Sequence, residues 1–219
     1  MNAKSLGLAF LGLLLFLLIA AGGGLVLGYN GLVRKQQAVE AQWAQVENVY
    51  QRRADLVPNL VSTVQGAADF EKSTLTAVTD ARARVGQVTL PPSGPENQAQ
   101  IDAFRNAQGR LGATLSRLLV VAERYPELRA TDGFRDLQVQ LEGTENRIAV
   151  ERRRFNEAAQ AYNTSLRTFP AVLYAGLLGF QQKPYFTAEP GAERPPSVRF
   201  NFDGGAHHTT VTGPGSAPR

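Results

Sequence analysis

A chain of 219 residues without a cysteine has room for one domain of ordinary size beside an anchor, and it excludes disulfides and thiolate metal sites. Its 23 Lys and Arg against 19 Asp and Glu leave a net charge of +4 scattered over both signs, without the basic stripe of a nucleic-acid binder, so no nucleic-acid partner is expected.

Residues 6–28 contain only Leu, Ile, Val, Phe, Ala and Gly. As a helix this run reaches ~34 Å at ~1.5 Å per residue, against a hydrocarbon layer of ~30 Å. Lys4 and the small Ala20-Ala21-Gly22 also fit a cleaved export signal, but Ile19 is a poor companion to Ala21 at a cleavage site and apolar residues resume at Leu25. Residues 1–28 are therefore expected to form a retained, single-pass transmembrane anchor. Gly24 and Gly28 have the small-xxx-small spacing that lets two membrane helices approach, which makes them a candidate dimer contact, although glycine is frequent in such helices anyway. Lys4 precedes the run while Arg34, Lys35, Arg52 and Arg53 follow it, an arrangement that leaves the side of the membrane open.

Beyond the anchor, Leu32, Gln36, Val39, Trp43, Val46, Tyr50, Arg53, Val57, Leu60 and Val64 recur at alternating spacings of four and three, the seam of a helix packed against helices. The register passes through Pro58, which reads as a kink rather than a stop. A break is expected at Gly66 to Asp69, with Asp69 as a cap, then a helix carrying Leu75, Val78, Arg82 and Val85. Residues 86–97 hold three prolines and two glycines and are expected to be a mobile connection. Helix resumes through Phe104, Gln108, Leu111, Leu115, Leu118, Ala122 and Tyr125, ending near Pro126. After the natural caps Thr131 and Asp132, the clearest seam runs through Phe134, Leu137, Leu141, Thr144, Ile148, Glu151, Phe155, Ala158, Tyr162 and Phe169.

No strand-type alternation of comparable length exists. Four amphipathic helices predict an all-α fold: the anchor, then an antiparallel up-and-down four-helix bundle over residues 29–186. The apolar patch of Phe169, Leu173, Tyr174, Leu177, Leu178 and Phe180 reads as a cap on the bundle's end or a partner surface. Residues 187–219, rich in Pro, Gly, Ser and Thr, are expected to be a disordered tail, with Val198–Phe202 docking as a short extended piece.

Three blocks resemble the LemA family of bacterial membrane proteins: Tyr29-Asn30-Gly31-Leu32-Val33 with the stretch from Gln51 to Val61; Leu118 through Ala130; and Leu141 through Ala149, continuing at Tyr162-Asn163-Thr164 and Phe169-Pro170. The resemblance implies a helical bundle behind one N-terminal transmembrane helix in the bacterial inner membrane, with no assigned reaction and no cofactor. One relative is associated with building magnetosome membranes, which implies a scaffold or adaptor acting on envelope proteins still to be identified.

The most unusual polar group is Glu142, Thr144, Glu145, Asn146 and Arg147 on the last helix. Thr144 occupies a seam position, so its hydroxyl must bond inside the bundle or to the Gln140 carbonyl. Gly143 costs ~1 kcal/mol of helix propensity and points to a close approach by a neighbouring helix. Arg53, Asp55 and Asn59, with Arg52, are expected to complement these carboxylates from the first helix, with Arg53 pairing Glu145. The cluster serves either to fix helix register or to form a partner or ligand groove. Arg152-Arg153-Arg154 spreads around the helix and reads as a solvated face.

A di-metal site of the ferritin kind needs Glu-x-x-His pairs, yet the two histidines, His207 and His208, lie in the tail. Neither a nucleophile elbow nor a phosphate-binding loop is present, so no catalytic residue, metal or cofactor is expected. The expected function is a membrane-anchored, self-associating scaffold or adaptor. A sensor that binds a ligand between the helices is the main rival, predicting a polar cavity near Glu142 to Arg147 where the scaffold predicts a filled seam. A hydrolase using carboxylates is the second.

Overall fold

The computed structural model describes residues 3–66 and 70–187, and all regular elements among them are helical. They are α1 (Ala3–Gln65), α2 (Lys72–Val85), α3 (Gln98–Ala122), the short α4 (Pro126–Ala130) and α5 (Asp132–Arg167), followed by a 3-10 turn at Ala171–Leu173. The positions expected to form the tail beyond Thr187, Val198–Phe202 and both histidines among them, lie outside the described residues, as does Asp69.

The 63 residues of α1 form one uninterrupted helix, ~95 Å long at ~1.5 Å per residue. Large apolar side chains between Leu8 and Leu27 stand exposed on all sides. From Leu32 onward a single face is buried, through Val39, Trp43, Val46, Tyr50, Arg53, Val57, Leu60 and Val64. The four-then-three spacing keeps these side chains on one stripe. That stripe packs along α5, while α2 pairs with α3, and the four segments assemble as a helical bundle.

Pro58 sits inside α1 without ending it. Its missing N–H leaves the Ala54 carbonyl without its usual partner four residues on. Arg82 of α2 fills the vacancy, donating Nε to that oxygen at 3.0 Å. A helix defect thus becomes a tie between α1 and α2.

Helix starts follow the capping chemistry of their sequences. The Asn97 side chain accepts from Gln100 N at 3.0 Å, and the Thr131 hydroxyl accepts from Phe134 N at 3.4 Å. Pro126 opens α4 at a first-turn position where no N–H is needed, so the helix expected to end near Pro126 closes at Ala122 and a new short one begins. Glu71 precedes α2, and its carboxylate takes hydrogen bonds from Ser73 at 2.6 Å and Arg124 at 3.1 Å. The Ser73 bond is the main reason its pKa lies below the ordinary glutamate value, with Arg124 adding to it.

The connection 86–97 is packed rather than loose, contrary to its composition. Gly94 has φ +82 and is buried against Trp43, where a Cβ would come within 2.8 Å of the indole Cγ. Only glycine combines that backbone with that approach. Val88 and Leu90 pack onto the same core.

A second unforeseen element is the strap formed by residues 181–186, which runs back along α5. Asn163 donates Nδ2 to the Lys183 carbonyl at 2.7 Å and accepts from Lys183 N at 2.8 Å. Asn156 does the same for Phe186, at 2.8 and 2.9 Å. Seven helical residues rise ~10.5 Å and three extended residues span ~10 Å, so the two amides meet the strap in step. Phe186 is thereby delivered onto Trp43, with ring centroids 6.0 Å apart, and Phe155, at 5.6 Å.

Candidate functional site

The buried side chains fall into two clusters stacked along the bundle. One holds Trp43, Tyr50, Phe104, Phe155, Tyr162 and Phe186; the other is built from Leu60, Leu111, Leu115, Leu118, Leu137 and their neighbours. Between them, one polar residue from each long helix interrupts the apolar seam: Arg53 of α1, Gln108 of α3 and Thr144 of α5, all buried.

Arg53 organises this layer. Its Nη2 donates to the Gln108 carbonyl at 2.8 Å and to Gln108 Oε1 at 2.6 Å, and its Nη1 donates to Glu145 Oε1 at 2.8 Å. The guanidinium carbon lies 5.0 Å from the Tyr50 ring centroid, within cation–π range. Gly112 lies beside it, where a Cβ would stand in contact at 3.4 Å from Nη1. Arg53 is 4% exposed and Glu145 51%, so the pair joins a buried cation to a solvated carboxylate. Arg53 Nε is buried with no hydrogen-bond partner. Thr144 donates to the Gln140 carbonyl at 2.7 Å, one of the two partners its seam position allows.

Beside Arg53 the bundle opens into a cleft of about 650 Å3 between α3 and α5, with Tyr50 and Arg53 of α1 on its floor. Gly109 and Gly112 thin the α3 wall, and Glu142, Glu145 and Asn146 form the α5 wall. Arg105 and Arg152 bring further cations to the rim. Burial holds the Tyr50 phenol above its ordinary pKa, a shift that Arg152 and Arg53 oppose and Glu145 reinforces.

The predicted cluster is thus assembled only in part. Arg53, Glu142, Thr144, Glu145 and Asn146 meet at the layer or its cleft. Asp55, Asn59 and Arg147 are exposed and line neither; Asp55 instead accepts from Gln51 at 2.8 Å on the outside of α1. At ~100° per residue Asp55 stands ~200° around α1 from Arg53 and Asn59 ~240°, which places both away from α5. Gly143 has nothing within 4 Å of a would-be Cβ, so the close helix approach expected there is absent. Gly24 faces open space, whereas a Cβ on Gly28 would overlap the hydroxyl of Tyr174 from the same chain.

Arg152 departs from the solvated-face reading. It lines the cleft and covers the Phe186 ring at 4.8 Å, while Arg153 and Arg154 pair outward with Glu157 and Glu151. Its spacing of four from Ile148 and eight from Thr144 was the available signal. Among the described residues no group of three Asp, Glu or His side chains converges as metal ligands do.

A family comparison decides what this bundle is related to: residues 42–200, spanning α1 from the Trp43 turn to beyond the strap, match the LemA family. The chain belongs to the LemA family. Magnetosome protein MamQ of Magnetospirillum gryphiswaldense is 28% identical to it over 78% of this chain and 69% of the relative. Magnetosome protein MamQ 2 of Paramagnetospirillum magneticum aligns with the same identity and coverage. Protein LemA of Metamycoplasma hominis is 24% identical over 64% of this chain and 60% of its own length. The matched region includes the whole polar layer of this LemA-family chain, together with Asn156, Asn163 and the strap they hold.

Proposed function

We propose that this chain is a membrane-anchored, non-catalytic scaffold or adaptor that works by protein–protein contact at the bacterial cell envelope and associates with itself. The observation that carries the reading is the continuity of α1. A single helix is exposed and apolar at its start, long enough there to cross a bilayer, and becomes the central seam of the bundle without a joint. A bundle held this way is presented at a fixed height and orientation beside the lipid. The relatives named for magnetosomes support a place in membrane organisation. Gly22, Gly23 and Gly24 are open along the apolar segment and are proposed as its face for helix association, in place of the Gly24–Gly28 pair, because Tyr174 covers Gly28.

The integral part is tested by alkaline carbonate extraction, which should leave the chain in the membrane pellet; full release contradicts it. The adaptor part is tested by crosslinking in intact cells, expected to join the chain to envelope proteins or to a second copy. Recovery of only uncrosslinked chain counts against it.

A second reading is favoured by the cleft, which a simple filled seam does not explain. A ligand with an acidic group and an apolar body, seated between α3 and α5, would engage Arg53 and so act on α1, the helix that continues to the membrane. Gly109→Phe separates the two readings, because position 109 lines the cleft and has open space before it. Crosslinked partners unchanged in this variant favour the scaffold, and their loss in a folded variant favours the sensor.

A further inference from the structure

The turn after α5 exposes an unusual density of apolar surface. Phe169 is 79% exposed and Leu177 89%, and Val172, Leu173 and Leu178 are each more than half exposed. Five such side chains within ten residues exceed the scattered apolar exposure of an ordinary soluble surface. The segment is not loose: Tyr174, Ala171 and Ala175 are buried beneath it, and backbone hydrogen bonds such as Ala175 N to the Ala171 carbonyl at 2.8 Å hold it folded.

Its position says what covers it. Tyr174 lies against Gly28, whose Cβ position falls 3.2 Å from the phenol Cζ, and Phe180 packs edge-on against Tyr29 with centroids 5.5 Å apart. These contacts put the turn beside the very residues where the apolar run of α1 ends, so its exposed surface continues that of the helix. Polar groups mark the level above. Lys35 donates to Ser165 near the end of α5, and Arg34 and Arg167 are exposed close by in sequence. An apolar surface with an aromatic residue at its boundary and cations behind it has the layering of a membrane-water interface.

We propose that residues 169–178 form a second membrane contact, a wedge that enters the lipid interface beside α1 and sets the bundle upright on the bilayer. The proposal rests on the reading of α1 as a membrane anchor. Phe169, Leu173 and Leu177 meet acyl chains, Tyr29 sits at the boundary, and Arg34, Lys35 and Arg167 lie at headgroup height. The occupant of this surface is lipid, with a second protein chain as the competing outcome.

The absence of native cysteine allows each test site to carry a single thiol. Full-length L177C, L17C and V139C, all at exposed positions, are labelled with an environment-sensitive fluorophore and reconstituted into phosphatidylethanolamine/phosphatidylglycerol vesicles containing doxyl-labelled lipid. L17C reports the anchor itself and V139C the far surface of the bundle. The proposal expects the lipid-borne quencher to remove most emission from L177C and L17C but not V139C, with aqueous iodide showing the reverse order. L17C quenched by lipid while L177C is quenched by iodide overturns the wedge and leaves the anchor standing. L177C shielded from both quenchers assigns the surface to a protein and overturns the wedge as well. L17C open to iodide means that the anchor reading has failed, and the wedge with it.

Discussion

The two halves of the bundle are stabilised by different kinds of side chain, and the contrast explains where the molecule carries irregular structure. Around Trp43 the core is aromatic: its indole meets Phe104 at 5.2 Å and Phe155 at 5.5 Å, both edge-on, and Phe186 lies nearly parallel to it. Around Leu118 the core is mainly aliphatic, and among its partly buried neighbours only Phe70 and Tyr125, whose rings meet at 5.0 Å, come from outside the helices. Large rigid rings leave flat faces that side chains on neighbouring helices do not fill. In this half the connection 86–97 and the strap 181–186 complete the packing, each through one exacting contact, Gly94 on Trp43 and Phe186 on Trp43. The leucine half needs less such help, because branched aliphatic side chains interdigitate across a helix pair and only the Phe70–Tyr125 contact is added from outside the helices.

Trp43→Ala and Leu118→Ala break the comparison most directly. Both should destabilise strongly, by about 3–5 and 2–5 kcal/mol respectively in chemical unfolding. The difference lies in proteolysis of the folded protein: Trp43→Ala should expose cleavage sites in 86–97 and 181–186, and Leu118→Ala should not. Equal protease patterns would mean that the strap and connection are held independently of the indole.

Next in size is Arg53→Met, expected to cost about 1–3 kcal/mol because Gln108 loses a buried donor and Glu145 its partner. A double-mutant cycle with Glu145→Gln should give a coupling of about 0.5–1 kcal/mol, small because Glu145 is half in water. Additivity would show that the 2.8 Å contact contributes nothing. Asn163→Ala should cost about 1–2 kcal/mol and raise amide exchange at Lys183 while leaving helix content unchanged by circular dichroism. Smallest is Gly143→Ala, which should stabilise by about 0.5–1 kcal/mol, since the site is helical, exposed and open. Gly94→Ala should do the opposite, for its positive φ and the indole beside it.

The alkaline limb offers a further check on the boundary between the halves. Burial raises the Tyr50 pKa above the unfolded value of 10.0, so the folded state holds this proton more tightly. The stabilisation is complete below that value and is lost as pH rises through the folded-state pKa. Tyr50→Phe should flatten this loss in an alkaline unfolding series, and an unchanged slope would assign it elsewhere.

Helical periodicity made most of the bundle readable from residues alone. Nine of the ten seam positions from Leu32 to Val64 are buried, Gln36 being the half-buried exception, because a rule of spacing acts within each helix and needs no knowledge of the partner. Thr131 was readable as a cap for the same local reason. Asp55 and Asn59 were misassigned by grouping neighbours in sequence without turning them around the helix. The strap was illegible because its partners are two side-chain amides seven residues apart on α5, and extended backbone clamped by side chains leaves no periodic trace. The docking of Gly94 depends on an indole 51 positions earlier, a coincidence of shape that composition does not record. The cleft was equally hidden, because an opening depends on the separation of α3 and α5 rather than on either sequence pattern.

Pro58 gives the fold an asymmetry that a uniform cylinder lacks. The backbone of a regular helix conceals its carbonyls in its own ladder and looks alike from every bearing, so rotation is set by side chains alone. By releasing the Ala54 oxygen toward one compass direction, the imino acid marks a single meridian on α1, and the guanidinium of Arg82 reads it. One oxygen atom thereby adds a fixed bearing for α2 to the one already set by Leu75, Val78 and Ala81 in the shared core.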